Sequence, residues 1–215
     1  AHLLFEPRAV NADLPGIVDE LVHELGGDAN LRARRGIFRL RLELGSARCA
    51  PALPLFLERP HLPRGMASVP FDSEGVATYD RDIVTDGVLQ AYLLSSYSAR
   101  RLGLQTTANA GGAQNLVVPG TGKDRDALIR EMGTGLIVEE LIGQGVNGVT
   151  GDYSRGAVGH WVENGEIAYP VHEVTIAGNL RDLYMRIAAI GDDQDLRSGI
   201  RCGSILVEEM TIAGA

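Results

Sequence analysis

The sequence predicts an α+β protein with a mostly antiparallel or mixed β-sheet, barrel-like at its core, and several short helices. Three observations carry this expectation. The dipeptides Asp86-Gly87 and Asn164-Gly165 lie between apolar-rich segments that read as strands, the signature of a two-residue β-hairpin. The chain of 215 residues holds 27 glycines, well above a usual share of roughly 7%, which implies many turns rather than a helical bundle. Helical periodicity appears only in scattered short stretches, without the regular alternation that builds a parallel βαβ sheet.

Taken in order, residues 15–25 read as a helix. Ile17, Leu21 and Leu25 recur every four positions, Asp13 can cap it, Pro15 sits where its missing N–H is harmless, and Gly26-Gly27 stops it. Residues 37–44 alternate as a strand. Pro51, Pro54, Pro60 and Pro63 make 47–65 an irregular crossover. It is the one candidate boundary, between an N-terminal helix–strand segment at 1–46 and a β-rich domain at 66–215. Residues 82–94 form the first hairpin, 95–102 a serine-capped helix stopped by Gly103, and 109–112 a loop. Asp124 begins a helix to Met132 that buries Leu128, Ile129 and Met132 and ends at Gly133. Residues 136–142 are a strand. Residues 151–156 read as a glycine-flanked polar loop, and 158–176 as the second hairpin, with Pro170 marking an edge or a break. Asn179 caps a helix with Leu180, Leu183, Tyr184 and Ile187 in one stripe, and 204–212 closes the chain as a strand.

Composition excludes several classes. At 45% hydrophobic the chain can bury a core, and disorder is not expected. A net charge of −8 argues against a nucleic-acid surface, which needs clustered Lys and Arg. The densest basic run, Arg32, Arg34, Arg35, Arg39 and Arg41, reads as one solvated strand face. No run approaches the roughly 18 apolar residues of a membrane span, and the first residues do not form a signal peptide. A cytoplasmic protein with peptide or protein partners is expected. The chain starts at Ala1 without a methionine and reads as a fragment. Two cysteines, Cys49 and Cys202, make no disulfide framework.

Local chemistry offers few constellations. His23-Glu24 at a helix end, with Asp28 five residues on, resembles half of a metallopeptidase device, in which ligands hold a metal and a Glu activates water. Five residues turn a helix by about 500°, leaving His23 and Asp28 about 140° apart, so they converge only if the helix ends at Gly26-Gly27. The plain alternative is a surface pair near a helix C-terminus. Asp152-Tyr153-Ser154-Arg155 with His160 superficially offers acid, nucleophile and base, but Asp and Ser beside glycine are ordinary turn residues. His172-Glu173 in a strand points to opposite faces. Asp72 and Glu74 read as a solvated turn. Gly111-Gly112 and Gly143-Gln144-Gly145 lack phosphate-loop spacing. Cys202, between Arg201 and Gly203, reads as a buried small side chain.

A series of longer segments carries a more specific signal. These are Ala67-Ser68 with Pro70-Phe71-Asp72-Ser73-Glu74-Gly75, Asp86-Gly87-Val88-Leu89, Met132-Gly133-Thr134-Gly135-Leu136, Gly151-Asp152-Tyr153-Ser154-Arg155-Gly156, Trp161-Val162-Glu163-Asn164-Gly165-Glu166, Ile176-Ala177-Gly178-Asn179 and Cys202-Gly203-Ser204. From about His61 onward the chain resembles the C-terminal half of the PmbA/TldD family, a two-subunit bacterial metallopeptidase assembly earlier described as a modulator of DNA gyrase. It looks more like the PmbA (TldE) branch, the partner without the zinc motif, than like the TldD branch, which carries His-Glu-x-x-x-His and a distant Cys. Asp28 stands where the second His would be, and Cys202 falls where the family's third ligand would lie.

The resemblance implies a non-catalytic subunit with no zinc of its own. It would act beside a TldD-like partner that holds the zinc, or as a homo-oligomer, on peptides or unfolded small proteins. Such a subunit would wall the reaction chamber and hold an extended peptide through an exposed strand edge, with Asp152, Tyr153, Ser154 and Arg155 as the substrate- or partner-binding residues. Two alternatives stay open. One is an active metallopeptidase with an altered site in which Glu24 is the weak catalytic candidate and His23, Asp28 and Cys202 are weak metal candidates. The other is a non-enzymatic regulatory protein of the gyrase or antitoxin pathway.

Overall fold

Asn164 and Gly165 both adopt positive φ, 53° and 78°, the backbone that a two-residue turn between right-twisted strands demands. In the computed structural model this turn joins β7 (Asp152–Glu163) to β8 (Glu166–Asn179). The structure describes residues 1–10, 56–147 and 150–214. The helix expected at 15–25 and the strand expected at 37–44 lie outside them.

The described residues fall into two compact units, 1–10 with 119–195 and 202–214, and 56–118 with 196–201. The β7–β8 ladder dominates the first. It runs in antiparallel register from Asp152 opposite Asn179 to Glu163 opposite Glu166. β6 (Gly135–Ile142) pairs antiparallel along the other side of β7. β1 (His2–Phe5) lies parallel to β6 and antiparallel to β11 (Ile205–Val207), which in turn pairs with β9 (Ile187–Ile190). β12 (Thr211–Ala213) closes the opposite end on β8, giving the order β12-β8-β7-β6-β1-β11-β9.

Helix α2 (Arg125–Met132) packs on this sheet. The Asp124 side chain accepts the Ala127 amide at 2.7 Å, and Gly133 ends the helix. Leu128, Ile129 and Met132 fall on one face and join Leu4, Ile137, Val162, Ala189 and Leu206 in the core. Burying each large aliphatic side chain stabilises by about 1.5–3 kcal/mol.

The second unit holds a five-stranded sheet in the order β10-β5-β2-β3-β4. Its strands are β2 (Phe56–Glu58), β3 (Arg81–Thr85), β4 (Val88–Leu89), β5 (Leu116–Val117) and β10 (Ile200–Arg201). β10 runs parallel to β5; the other pairs are antiparallel. Asp86 and Gly87, at φ 51° and 74°, make the expected turn between β3 and β4. Helix α1 (Ser96–Leu102) starts at Ser95, whose side chain accepts the Ser98 amide, and stops at Gly103 in the left-handed conformation. Both sheets are mixed and open, with no closed barrel among the described residues, so the α+β expectation holds without the barrel-like closure.

Four local expectations are corrected. Residues 152–156 belong to β7 rather than to a loop, because they pair with residues 175–179 of β8 on one side and residues 145–147 run beside them on the other. The Ser154 amide donates to the Gly145 carbonyl at 2.7 Å and the Asn147 amide to the Asp152 carbonyl at 2.8 Å. A Cβ on Gly145 would lie 1.6 Å from the Ser154 carbonyl oxygen, so only glycine permits this approach. The helix after Asn179, α3 (Leu180–Met185), ends before Ile187, which pairs with Val207 in β9 instead. Residues 204–212 form two strands, since β11 and β12 pair near opposite ends of the sheet and the chain must cross between them. The second arm of the first hairpin is only two residues long.

The tip of the β7–β8 hairpin rests on α2, where the Gly165 amide donates to the Gly133 carbonyl at 2.7 Å. A Cβ on Gly165 would meet the Arg130 Cα at 3.1 Å, and its φ of 78° already strains any other residue. Gly165→Val is expected to destabilise the protein by about 1–3 kcal/mol. Urea unfolding followed by circular dichroism measures this, and an unchanged midpoint would contradict the turn assignment.

Candidate functional site

Strand alternation decides what residues 152–155 can do. Asp152 and Ser154 are exposed on one face of β7, while Tyr153 and Arg155 point to the other, where Tyr153 is buried. The four expected binding residues are therefore adjacent in the chain but divided between two faces. On the outer face the Asp152 carboxylate accepts the Thr150 hydroxyl at 2.7 Å and the Asn179 amide at 3.4 Å. Asn179 also donates to the Thr150 carbonyl at 2.9 Å. On the inner face burial pushes the Tyr153 phenol well above its ordinary value, helped by Tyr184. Burial also lowers the Arg155 guanidinium from its usual range. His160 does not serve Ser154 as a base: it lies six strand residues away, about 20 Å, with its Nδ1 3.0 Å from Glu139 Oε1.

Of the expected metal candidates, only Cys202 lies among the described residues. His23, Glu24 and Asp28 lie outside them. Cys202 is fully buried, and burial together with the Asp193 charge pushes its thiol up to about 12. Asp193 is already engaged, accepting the Ser204 amide at 2.9 Å and the Ser204 hydroxyl at 2.6 Å. A Cβ on Gly203 would lie 1.9 Å from the Gly191 carbonyl, so Cys202 borders a close backbone crossing. No group of three His, Cys, Asp or Glu side chains comes together among the described residues.

Two further features stand out, one that escaped the sequence reading and one that locates the strand edge it expected. The first is a buried polar node. Glu58, 1% exposed, pairs with Arg81 and accepts the Asn109 side-chain amide at 2.7 Å and the Gln114 backbone amide at 2.8 Å. Arg81 also bonds the Asn109 side chain and donates to the Thr107 carbonyl at 2.7 Å. Asn115 continues the brace, donating to the Arg59 carbonyl at 3.0 Å and to Ser68 Oγ at 2.6 Å. The segment so held turns through positive φ at Ala108, Gly111, Gly112 and Asn115. Asp72, expected to be a solvated turn residue, is in fact buried and accepts the amides of Glu74, Val76 and Ala110 at 2.9–3.0 Å. The one sequence signal was polar Glu58, Asn109 and Gln114 embedded among small and apolar neighbours. The second feature is the outer edge of β8. From Glu166 to Glu173 every residue is exposed except the half-buried Val171, and β12 covers only Thr175 to Ala177.

Two outcomes follow from the node. Glu58→Ala leaves the buried Arg81 uncompensated and is expected to cost about 3–5 kcal/mol of stability by urea unfolding; a loss below about 1 kcal/mol would show that the pair is not structural. For Asp72, burial raises the carboxyl, but the Val76, Ala110 and Glu74 amides outweigh it and the net shift is downward. Its stabilisation is therefore present above the unfolded carboxylate value near 4 and lost as pH falls through the folded value. Asp72→Asn is expected to flatten the acid limb of the stability–pH curve, and a limb of unchanged slope would contradict this.

With this geometry in hand, comparison with known proteins is specific. The PmbA/TldA metallopeptidase C-terminal domain matches residues 12–214. The Metalloprotease PmbA of Escherichia coli O157:H7 is 59% identical over 157 residues, covering 73% of this chain and 35% of its own length. The chain thus spans about a third of the length of these curated PmbA relatives. The Metalloprotease TldD homolog of Haemophilus influenzae is 24% identical over 235 residues, covering 97% of this chain and 48% of that one. Among solved structures, a proposed modulator of DNA gyrase from Bacteroides thetaiotaomicron superposes with a TM-score of 0.83 at 28% identity, covering 100% of this chain and 47% of that one.

Proposed function

The chain belongs to the PmbA/TldD metallopeptidase family, and on that premise we propose that it serves as a PmbA-type, non-catalytic subunit of a peptidase complex. The hydrolytic zinc would sit in a TldD-like partner, and this chain would help to hold an extended peptide. One observation carries the reading: identity is 59% to the PmbA relative but 24% to the TldD homolog, so the sequence sits on the PmbA side of the family. The presence of Asp28 where the TldD pattern has its second His supports the same side.

What the chain's own residues supply is shape and polar contact. The outer face of β7 presents the Asp152 carboxylate and the Ser154 hydroxyl to a partner, and Arg155 supports that strand from the other face. Among the described residues no helix is long and apolar enough to cross a membrane, and we place the complex in the cytoplasm. A second reading, an active metallopeptidase using His23, Glu24, Asp28 and Cys202, draws support from the name Metalloprotease carried by the PmbA relative.

Reconstitution separates the two. The purified chain alone is expected to leave an unfolded peptide intact, and addition of a TldD-type subunit to allow cleavage. Arg155→Ala, which removes the side chain behind the outer face of β7, is expected to lower the rate of the mixture by about tenfold, a transition-state loss of about 1.4 kcal/mol, with an unchanged circular dichroism spectrum. Cleavage by this chain alone at the full rate, lost in Glu24→Gln, would establish the second reading instead.

A further inference from the structure

We propose that the outer edge of β8, from Glu166 to Glu173, is a docking edge for an extended peptide with basic ends. The inference rests on the peptide-handling reading above and assigns that role to one strand. β8 is 14 residues long, yet its outer side is paired only at Thr175, Ile176 and Ala177. Beyond them the edge is open among the described residues, and open backbone N–H and C=O groups form a template for one more strand. Eight strand residues span about 26 Å, the length of a short extended peptide.

The side chains specify the occupant. Ile167 and Tyr169, 48% and 51% exposed, lie in the middle of the edge with Val171. Carboxylates bracket them, Glu166 at one end and Glu173 at the other, and both are exposed. A fitting peptide is apolar in its middle and carries Lys or Arg toward its ends. The same charges disfavour a second copy of this chain. Antiparallel pairing of two such edges would set Glu166 of each copy against Glu173 of the other, and like charges directly opposite one another destabilise a strand pair.

The backbone also limits how tightly anything can bind. Pro170 has no N–H to give, and Glu173 leaves the extended conformation with φ 56°. The ladder is therefore interrupted twice within eight residues. Such an edge resists the long, permanent strand pairing of a subunit interface and suits a segment that must slide on and come off.

The test uses the 215-residue chain and two fluorescein-labelled eight-residue probes of alternating valine and threonine, one with lysine and one with glutamate at both ends. Fluorescence anisotropy should show the lysine-ended probe binding at least about tenfold more tightly at low salt, with the gap narrowing as salt rises. Hydrogen–deuterium exchange should show new protection confined to residues 166–173. The double variant E166K/E173K should reverse the preference, with the fold checked by circular dichroism. Equal binding of both probes, or protection elsewhere, overturns the proposal. So does protection at 166–173 that appears with rising protein concentration and no probe, which marks a second copy. Protection by a TldD-type subunit that displaces the probe overturns it as well, by making the edge a subunit contact. No hydrolysis enters these measurements, so failure here leaves the reconstitution result of the preceding subsection standing, and the reverse also holds.

Discussion

The register of the β7–β8 ladder is the constraint on which the first unit depends. Side chains on a strand alternate with period two, so a slip of one residue would exchange every inward and outward group. The Asn164-Gly165 turn holds one end of the ladder and the close approach of Gly145 to Ser154 holds the other. Between them Val162 points into the core against α2, Ala157 and Ile176 are fully buried, and His160 reaches Glu139. The outward display of Asp152 and Ser154 is a consequence of the same register. Their position follows from which residues must be buried, not from any local preference of Asp or Ser for that strand.

In the second unit the comparable constraint is electrostatic. A buried ion pair rarely adds much net stability, because desolvating both charges offsets their attraction, but removing one partner is costly. The Glu58–Arg81 pair therefore acts mainly as a locator. Glu58 comes from β2, Arg81 from β3, and their remaining hydrogen bonds reach Thr107, Asn109 and Gln114. These anchors hold a segment whose Ala108 and Asn115 adopt left-handed φ, a conformation costing about 1–3 kcal/mol for a non-glycine residue. Asp72 fixes the same segment from another side through the Ala110 amide. The side chains of Glu58, Asp72, Arg81, Asn109 and Asn115 thus hold this segment in place of regular secondary structure.

Much of this was legible from local pattern, and the failures share a cause. The cap at Ser95, the helix start at Asp124, the stops at Gly103 and Gly133, and both two-residue turns are encoded within a few residues, so the sequence revealed them. The strand at 152–156 was not legible, because it is itself polar and glycine-flanked and is held by residues 175–179 of β8 and by 145–147, contacts that no local pattern reports. Ile187 fitted a helical stripe by spacing, but pairing with Val207 claimed it for β9. The Glu58 node joins residues about 50 positions apart in sequence, and no periodicity reports such a contact. For the candidate site the sequence named Asp152 to Arg155 correctly as neighbours but could not divide them between faces, since that division depends on the strand assignment itself.

The polar face and the open edge of β8 fit the division of labour proposed between the two kinds of subunit. A chain that activates water needs several ligands converging within a few ångströms, a demanding arrangement that mutation readily destroys. A chain that only holds a peptide needs backbone groups, which every sequence has, and a few charges to set preference. Backbone pairing is largely blind to side-chain identity, so such a surface can receive many unfolded segments, while Glu166 and Glu173 bias it toward basic ones. The interruptions at Pro170 and Glu173 then become functional rather than merely protective. An uninterrupted edge of this length would bind strands too firmly to release them and would invite aggregation. An edge broken twice can bind a passing segment weakly, and weak, sequence-tolerant binding is what a subunit that positions a peptide for a neighbouring active site requires.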